Sequence, residues 1–592
     1  MNINERISKL RDLMKEKGLD AFIIPSSDNH LSEYVGNYFK CREWISGFTG
    51  SAGTVVITDK EAHLWVDGRY HIQADKQTKG TEYIVEKWGV PGVDNFSCWI
   101  SKNLKKDDIV GFNGKVISYK TFEELKEKFE AKGIKIKVQD DLIDKIWKDR
   151  PSMPCSKLFI HDVKYSGKAA KEKIQEVRER LKEEGLTDYL LASLDDIAWL
   201  LNLRGDDVPH NPVFLSYLLM SMDNCTLYID KRKIDDTIIN YLKENGVDVK
   251  DYDDIKNDLE TLNKDGKITF DGAKTNVWLE ESIPDGLKIK DRRNITTELK
   301  AIKNKVELEN LENCQVKDGV AMVKFIYWLT SNIGKIPMDE LLVSDKLEEI
   351  RRSMDKNLGI SFDSISAYGA NAAMMHYKAT EENKTNLEPR SFYLIDSGGQ
   401  YLDGTTDITR TIVLGDLTEE EKMDFTSVLK GNIDLSLAVF LYGTTGSNLD
   451  VLARKPIWER GLDYRCGTGH GVGFLLNVHE GPQSFSMIPN TVKLEEGMVI
   501  TNEPGIYKEG RHGIRTENML VVRKHNETEF GTFLEFEPIT YCPIDLRGIK
   551  VNMLTDEEKN WLNEYHSIVY KKLSSHLDGQ ELDWLKEATR GI

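Results

Sequence analysis

The sequence predicts an α/β (α+β) chain. Two related α/β domains stand in tandem, followed by a C-terminal domain of paired strands and long helices. Three observations carry this reading. The 592 residues exceed what one hydrophobic core covers and point to about three or four domains. A helix–glycine–strand pattern occurs twice in the first half. The second half contains two hairpin sequences, each carrying a pair of carboxylates.

The first element, "ISKLRDLMKEKGLDAFII" from Ile7, resembles "IQEVRERLKEEGLTDYLL" from Ile174. Ile7 matches Ile174, Leu10 matches Val177, Met14 matches Leu181 and Gly18 matches Gly185, all at the offset 174 − 7 = 167. Each copy reads as an amphipathic helix, a glycine C-cap and a buried strand. So long a period excludes a solenoid and points to duplicated domains, placed at residues 1–160 and 161–300. In the first, "SGFTGSAGTVVIT" and "AHLWVDGRYHIQA" are glycine-punctuated strands; no dinucleotide or Walker pattern leads from them into a helix, so their glycines are structural. From "TTELKAIKNKVELENLENCQVKDGVAMVKFIYWL" the chain reads as a linker and a long amphipathic helix, opening the third domain at residues 301–592.

Bulk properties exclude several functions. A formal net charge of -18 argues against a nucleic-acid partner. No run of about 18 apolar residues is present, so no membrane span is expected. The start, "MNINERISKLRDLMKEKG", is a charged amphipathic helix and does not read as a signal peptide. Seven scattered cysteines without a CxxC pair suit free thiols in a reducing cytoplasm.

The third domain carries the chemistry. "FYLIDSGGQYLDGTTDITRTIVLG" reads as two strands around glycine-rich turn material. A turn about Tyr401 and Leu402 would set Asp396 directly opposite Asp407. Like charges so placed are destabilising, so a buried proton, an arginine or a metal cation is needed. "GMVITNEPGIYKEGRHGIRTENMLVVRK" repeats the oddity: about Gly510 it sets Glu503 opposite Glu517. Between the hairpins, "GTGHGVGFLLNVHEGP" holds His470 and His479 among glycines that let backbone approach a site closely. His479 follows His470 by nine residues, an odd offset that on a regular strand would turn it to the other face. His376 in "GANAAMMHYKAT" is a further candidate. Four carboxylates and one imidazole suit hard or borderline divalent ions such as manganese. Two such ions would neutralise the four carboxylates, and the chemistry implied is metal-assisted hydrolysis.

These motifs resemble the signature of the pita-bread metallopeptidases, within them the three-domain Xaa-Pro aminopeptidases. "DSGGQYLDGTTDITRT", "GTGHGVGFLLNVHEGP", "NEPGIY" and "GIRTEN" carry the resemblance; "SEY", "SGFTGSAGTVVITDKEAHLWVDGRY", "NPVFLSYLLM" and "FEPITYCPID" extend it over nearly the whole chain. It implies a C-terminal pita-bread catalytic domain and two divalent metal ions, manganese by expectation. The ligands would be Asp396, Asp407, His470, Glu503 and Glu517, with Asp407 and Glu517 bridging. A bridging water or hydroxide would attack the scissile carbonyl and Glu503 would accept the proton. His376 and His479 would bind substrate and stabilise the tetrahedral intermediate, and Arg515 would hold the substrate or the carboxylates. Peptides with proline in second position are the implied substrates, and a cytoplasmic homodimer the implied state.

Prolidase, with the same centre but dipeptide substrates, is the nearest alternative; the duplicated N-terminal module argues against it. A non-enzymatic relative would have lost ligands, and a creatinase-like hydrolase lacks the full carboxylate set. One departure stands out: where many relatives carry a histidine four residues before His470, this chain has Cys466.

Overall fold

The computed structural model describes residues 1–592. The helix Ile3–Lys17 begins at Asn2, whose side chain accepts from Glu5 N while Glu5 reaches back to the Asn2 amide. This capping box satisfies two otherwise orphaned donors. The helix buries Ile7, Leu10 and Met14, a stripe contributing about 1.5–3 kcal/mol per side chain. It stops at Gly18, whose φ of 65° only glycine adopts freely, and Leu19 N closes onto Met14 O at 2.9 Å. The helix Ala170–Glu183 repeats the device: Ile174, Val177 and Leu181 are buried, Gly185 has φ 64°, and Leu186 N reaches Leu181 O at 2.9 Å.

The correspondence extends to topology. The first sheet runs Tyr83–Lys87, Ala62–Val66, Thr54–Thr58, Ala21–Pro25, Ile109–Asn113, Lys135–Gln139. The second runs Asp248–Lys250, Cys225–Ile229, Ser216–Ser221, Asp188–Leu191, Lys267–Phe270, Lys288–Asp291. In both, the first strand in sequence is antiparallel to one neighbour and parallel to the other. Two six-stranded sheets of one strand order are what a duplicated module gives.

By contacts the chain divides into two compact units. One comprises Met1–His161 with Lys168–Thr297 and so holds both sheets; the other comprises Asp162–Gly167 with Glu298–Ile592. The segment 162–167 joins the second unit because Asn304 Nδ2 donates to Ser166 O at 2.8 Å.

In the second unit the helix Lys305–Asn332 underlies a three-stranded sheet, Ile365–Tyr368, Phe392–Ser397 and Ile408–Val413. Phe392–Ser397 is buried at every residue. Phe392 packs with Val320, Val323 and Phe425, whereas Tyr393 and Ile395 pack with Met322 and Phe325. Burial on both faces explains its unbroken apolar run. A six-stranded sheet follows, in order Phe440–Leu441, Gly531–Pro538, Asn518–Thr528, Val499–Asn502, Gly469–Gly471, Glu480–Phe485, beside the two-stranded ribbon Gly505–Lys508 and His512–Arg515.

The first hairpin's register differs from the expectation. Asp396 pairs with Thr409, not Asp407, and Tyr401 pairs with Gly404. The turn is therefore centred on Leu402 and Asp403, one residue later than expected. Asp403, 1% exposed, is held there by Lys317 Nζ at 2.6 Å. Moving the turn by one residue moves each pairing by two, so Asp396 and Asp407 stay on one face as diagonal neighbours. The second hairpin keeps its expected register: Asn502 pairs with Asn518, and Gly505 with Arg515.

Candidate metal centre

The two hairpins deliver their carboxylates to one place. Asp396 is the penultimate residue of the buried strand Phe392–Ser397, and Asp407 immediately precedes the strand Ile408–Val413; they are 7% and 3% exposed. Glu503 and Glu517 fall in the break between the ladders on either side of them. Their amides turn away instead: Glu503 N donates to Thr468 O at 2.7 Å and Glu517 N to Thr409 O at 3.2 Å. The second bond ties the second hairpin to the first.

His470 stands among the carboxylates. Its Nδ1 faces Gly471 O at 2.9 Å and so donates. Nε2 is turned to the carboxylates, 3.4 Å from Asp407 Oδ2 and 3.5 Å from Glu503 Oε1. Gly469 makes this placement possible, because a Cβ there would stand 1.9 Å from Thr501 O.

The sequence pattern did not single out Thr409, Thr501, Arg410 or Tyr507, all of which hold the centre. Thr409 Oγ1 donates to Glu517 Oε2 at 2.7 Å and accepts from Arg515 Nε at 3.1 Å. Thr501 Oγ1 accepts from His470 N at 3.0 Å. Arg410, 2% exposed, clamps Glu517 O at 2.6 Å and Cys542 O at 2.9 Å. Thr409 was findable: it stands two residues after Asp407, hence on the same strand face.

Arg515 spends all three nitrogens on protein: NH2 on Asp396 Oδ2 at 2.5 Å, NH1 on the Tyr507 hydroxyl at 2.7 Å, and Nε on Thr409. Of the three compensations that the paired aspartates call for, an arginine is thus one. It serves a single oxygen. Asp396 Oδ1 is buried with no hydrogen-bond partner, and the one hydroxyl proton of Thr409 is committed to Glu517.

The centre's electrostatics demand more positive charge. Burial first, then the charge of Asp407, pushes Glu517 well above the ordinary carboxylate range. Burial likewise raises Asp396 against the opposing pull of Arg515, and Glu503 against that of His470 and then Arg515. For His470 burial acts downward, but Asp407 and Glu503 overcome it and hold the imidazole up at about 9. The protein alone would satisfy these groups with protons. Cations do so without protonating them, and ligand atoms of Asp407, His470 and Glu517 lie within 4.8 Å of one another. An oxygen-rich set with one imidazole and an orphaned buried carboxylate oxygen fits divalent ions.

Two candidate histidines remain, His479 and His376. His479 does not turn away from His470: the ring centroids are 4.3 Å apart at 75°. The chain between them is no regular strand. It loops out and returns where Gly471 pairs with Glu480. Glu480, 2% exposed, is fixed by Lys303 Nζ at 2.5 Å and Lys300 Nζ at 3.2 Å. His376 is half-buried just past the turn Gly369–Ala373. That turn presses on the ribbon ending in Arg515: a Cβ on Gly513 would meet Ala372 O at 1.7 Å. Cys466 is half-buried against the core that holds Ile457, Tyr464 and Ile506, with its carbonyl taken by Arg454 NH2 at 2.8 Å.

Comparison with known proteins adds the following. Residues 309–524 match metallopeptidase family M24, and residues 532–592 its C-terminal region. Residues 6–146 and 149–307 each match a creatinase/prolidase N-terminal domain. A probable Xaa-Pro aminopeptidase P from Talaromyces marneffei is 42% identical over 100% of this chain and 93% of its own. Another from Botryotinia fuckeliana is 40% identical over 99% and 92%. The crystal structure of X-prolyl aminopeptidase from Caenorhabditis elegans, a cytosolic enzyme with a di-nuclear active site, superposes with a TM-score of 0.97 at 33% identity, covering 100% of both chains.

Proposed function

The chain belongs to metallopeptidase family M24, and from that premise we propose that it is an Xaa-Pro aminopeptidase, releasing the first residue of peptides whose second residue is proline. The observation that carries the reading is the buried gathering of Asp396, Asp407, His470, Glu503 and Glu517, with one Asp396 oxygen left unpartnered.

These five residues would hold two divalent ions, manganese by the resemblance. Bound there, such ions activate water for attack and polarise the scissile carbonyl. Glu503 is the proton acceptor: at 21% side-chain exposure it is the most open of the four carboxylates. His376 and His479 stand on separate loops and act on the substrate, holding it and stabilising the tetrahedral intermediate. Of the two duties expected of Arg515, we assign it the carboxylates, because NH2 is held on Asp396 Oδ2 and the other two nitrogens on the Tyr507 and Thr409 hydroxyls. The Xaa-Pro bond is a tertiary amide with no N–H and a fixed ring. A site that asks for neither an N–H nor a flexible residue accepts it.

The seven scattered cysteines suit the proposed cytoplasmic location, and no helix is long and apolar enough to cross a membrane. The homodimer remains part of the proposal by family resemblance and is tested by light scattering. For the activity, purified protein is offered Xaa-Pro-Yaa, Xaa-Ala-Yaa and Xaa-Pro peptides, with chelator and with added manganese. Release of the first residue from Xaa-Pro-Yaa, lost to chelator and restored by manganese, is expected. Cleavage confined to the dipeptide would make the enzyme a prolidase, and rapid cleavage of Xaa-Ala-Yaa would remove the proline requirement.

A further inference from the structure

The loop that carries His376 has no regular structure after the turn Gly369–Ala373, yet it is tied at several points to one side chain. Glu340 opens the helix Glu340–Arg352 and is 0% exposed. Its Oε1 accepts from Tyr368 N at 2.7 Å and from Asn371 Nδ2 at 3.1 Å. Its Oε2 accepts from the Tyr377 hydroxyl at 2.8 Å and from Thr385 N at 2.8 Å. Asn371 also reaches Thr385 Oγ1 at 2.9 Å. The donors thus come from the end of the preceding strand, from the turn, from Thr385 within the loop, and from Tyr377, the neighbour of His376.

The chemistry of the hub is specific. An ionised carboxylate offers about four lone-pair sites and no donor, and four donor groups converge here. A neutral amide of the same shape would turn N–H groups toward one pair of these donors, Tyr368 N with Asn371 or Tyr377 with Thr385 N. The helix N-terminus adds partial positive charge beside the carboxylate. On its other side the loop meets the Arg515 ribbon, where Gly513 leaves room for Ala372 O. The loop is therefore held between the helix start and that ribbon.

We propose that Glu340 is a positioning residue for catalysis, which through Asn371, Tyr377 and Thr385 sets the position of the loop that carries His376. The proposal rests on the substrate role assigned to His376 above. A displacement of about 1 Å of a substrate-positioning group can cost on the order of 10²-fold, so a hub outside the centre can control rate without touching substrate.

The test is a double-mutant cycle on the metal-loaded enzyme with an Xaa-Pro-Yaa peptide, combining Glu340→Gln with His376→Ala. Metal content is measured for every variant. Glu340→Gln is expected to lower kcat/KM about 10-fold to 100-fold in the wild-type background. In the His376→Ala background its effect should be within about twofold, with both ions retained throughout. Equal losses in the two backgrounds would make Glu340 a stability element only and overturn the proposal, as would no loss in the wild-type background. If His376→Ala is itself silent, the assignment of His376 fails and the proposal with it. If His376→Ala is slow and the losses add, this proposal alone fails. Should Glu340→Gln not fold, Tyr377→Phe, which removes one donor from the hub, is carried through the same cycle with the same expected and overturning results.

Discussion

Arg515 binds one oxygen of Asp396 at 2.5 Å and leaves the other, Oδ1, buried without a hydrogen-bond partner. The pair divides the carboxylate between a fixed cation on the protein and whatever charge occupies the centre. Breaking a buried pair by removing one partner costs about 3–5 kcal/mol, because a charge is left stranded. Arg515→Met should therefore lower the Tm of the metal-free enzyme strongly and that of the manganese-loaded enzyme much less, since bound ions also compensate Asp396. Calorimetry of both forms checks this. Equal losses would mean that Asp396 does not face the ions.

Asp407→Ala should remove metal and activity together. Asp407 Oδ2 lies 3.4 Å from His470 Nε2, and its ligand atom shares the cluster with Glu517. The several kcal/mol that metal ions supply to such a reaction correspond to at least about 10³-fold in rate. Atomic emission on the purified variant decides: retention of two ions with full activity contradicts the assignment.

His479→Ala should keep both ions and lower kcat by about 10²–10³-fold, the usual cost of losing a donor to a developing negative charge. Its ring stands edge-on to His470, 4.3 Å away, so it supports the centre from beside it. Stoichiometric loss of one ion on metal analysis would make His479 a ligand.

Metal-free and loaded enzyme should diverge as pH rises. His470, raised to about 9, contributes stability fully present below its unfolded value near 6.5 and lost as pH climbs through about 9. Glu503 and Glu517 are also raised. For an acid that sign means destabilisation that begins above the unfolded value and grows up to the folded one. Both effects weaken the metal-free protein on the alkaline side, whereas ions displace the protons and bind more tightly there. The difference in Tm between loaded and metal-free protein should widen from pH 6 to pH 9. A gap that narrows over that range would mean the buried groups do not hold protons when the ions are absent.

How far the residues alone disclose this protein depends on the range of the forces involved. The duplicated helix–glycine–strand unit was readable because each part is local: Ile7, Leu10 and Met14 share a helical face, and Gly18 takes a backbone conformation other residues resist. The register of the second hairpin was readable too, because the turn around Gly510, with φ 72°, sits between strands whose pairing follows from it. The first register was missed by one turn position. Its turn is set by Lys317 holding Asp403, a contact between residues 86 apart in the chain. Five candidate ligands could be named from spacing and resemblance. That Arg515 belongs to Asp396, that Thr409 joins the two hairpins, that His479 returns to face His470, and that Glu340 governs the loop of His376 could not. Each is a contact between separate elements or loops that exists only in the packed fold. Local backbone preference writes helices, caps and turns into the sequence; the meeting of buried charges is decided by packing, which fixes distances that no spacing along the chain encodes.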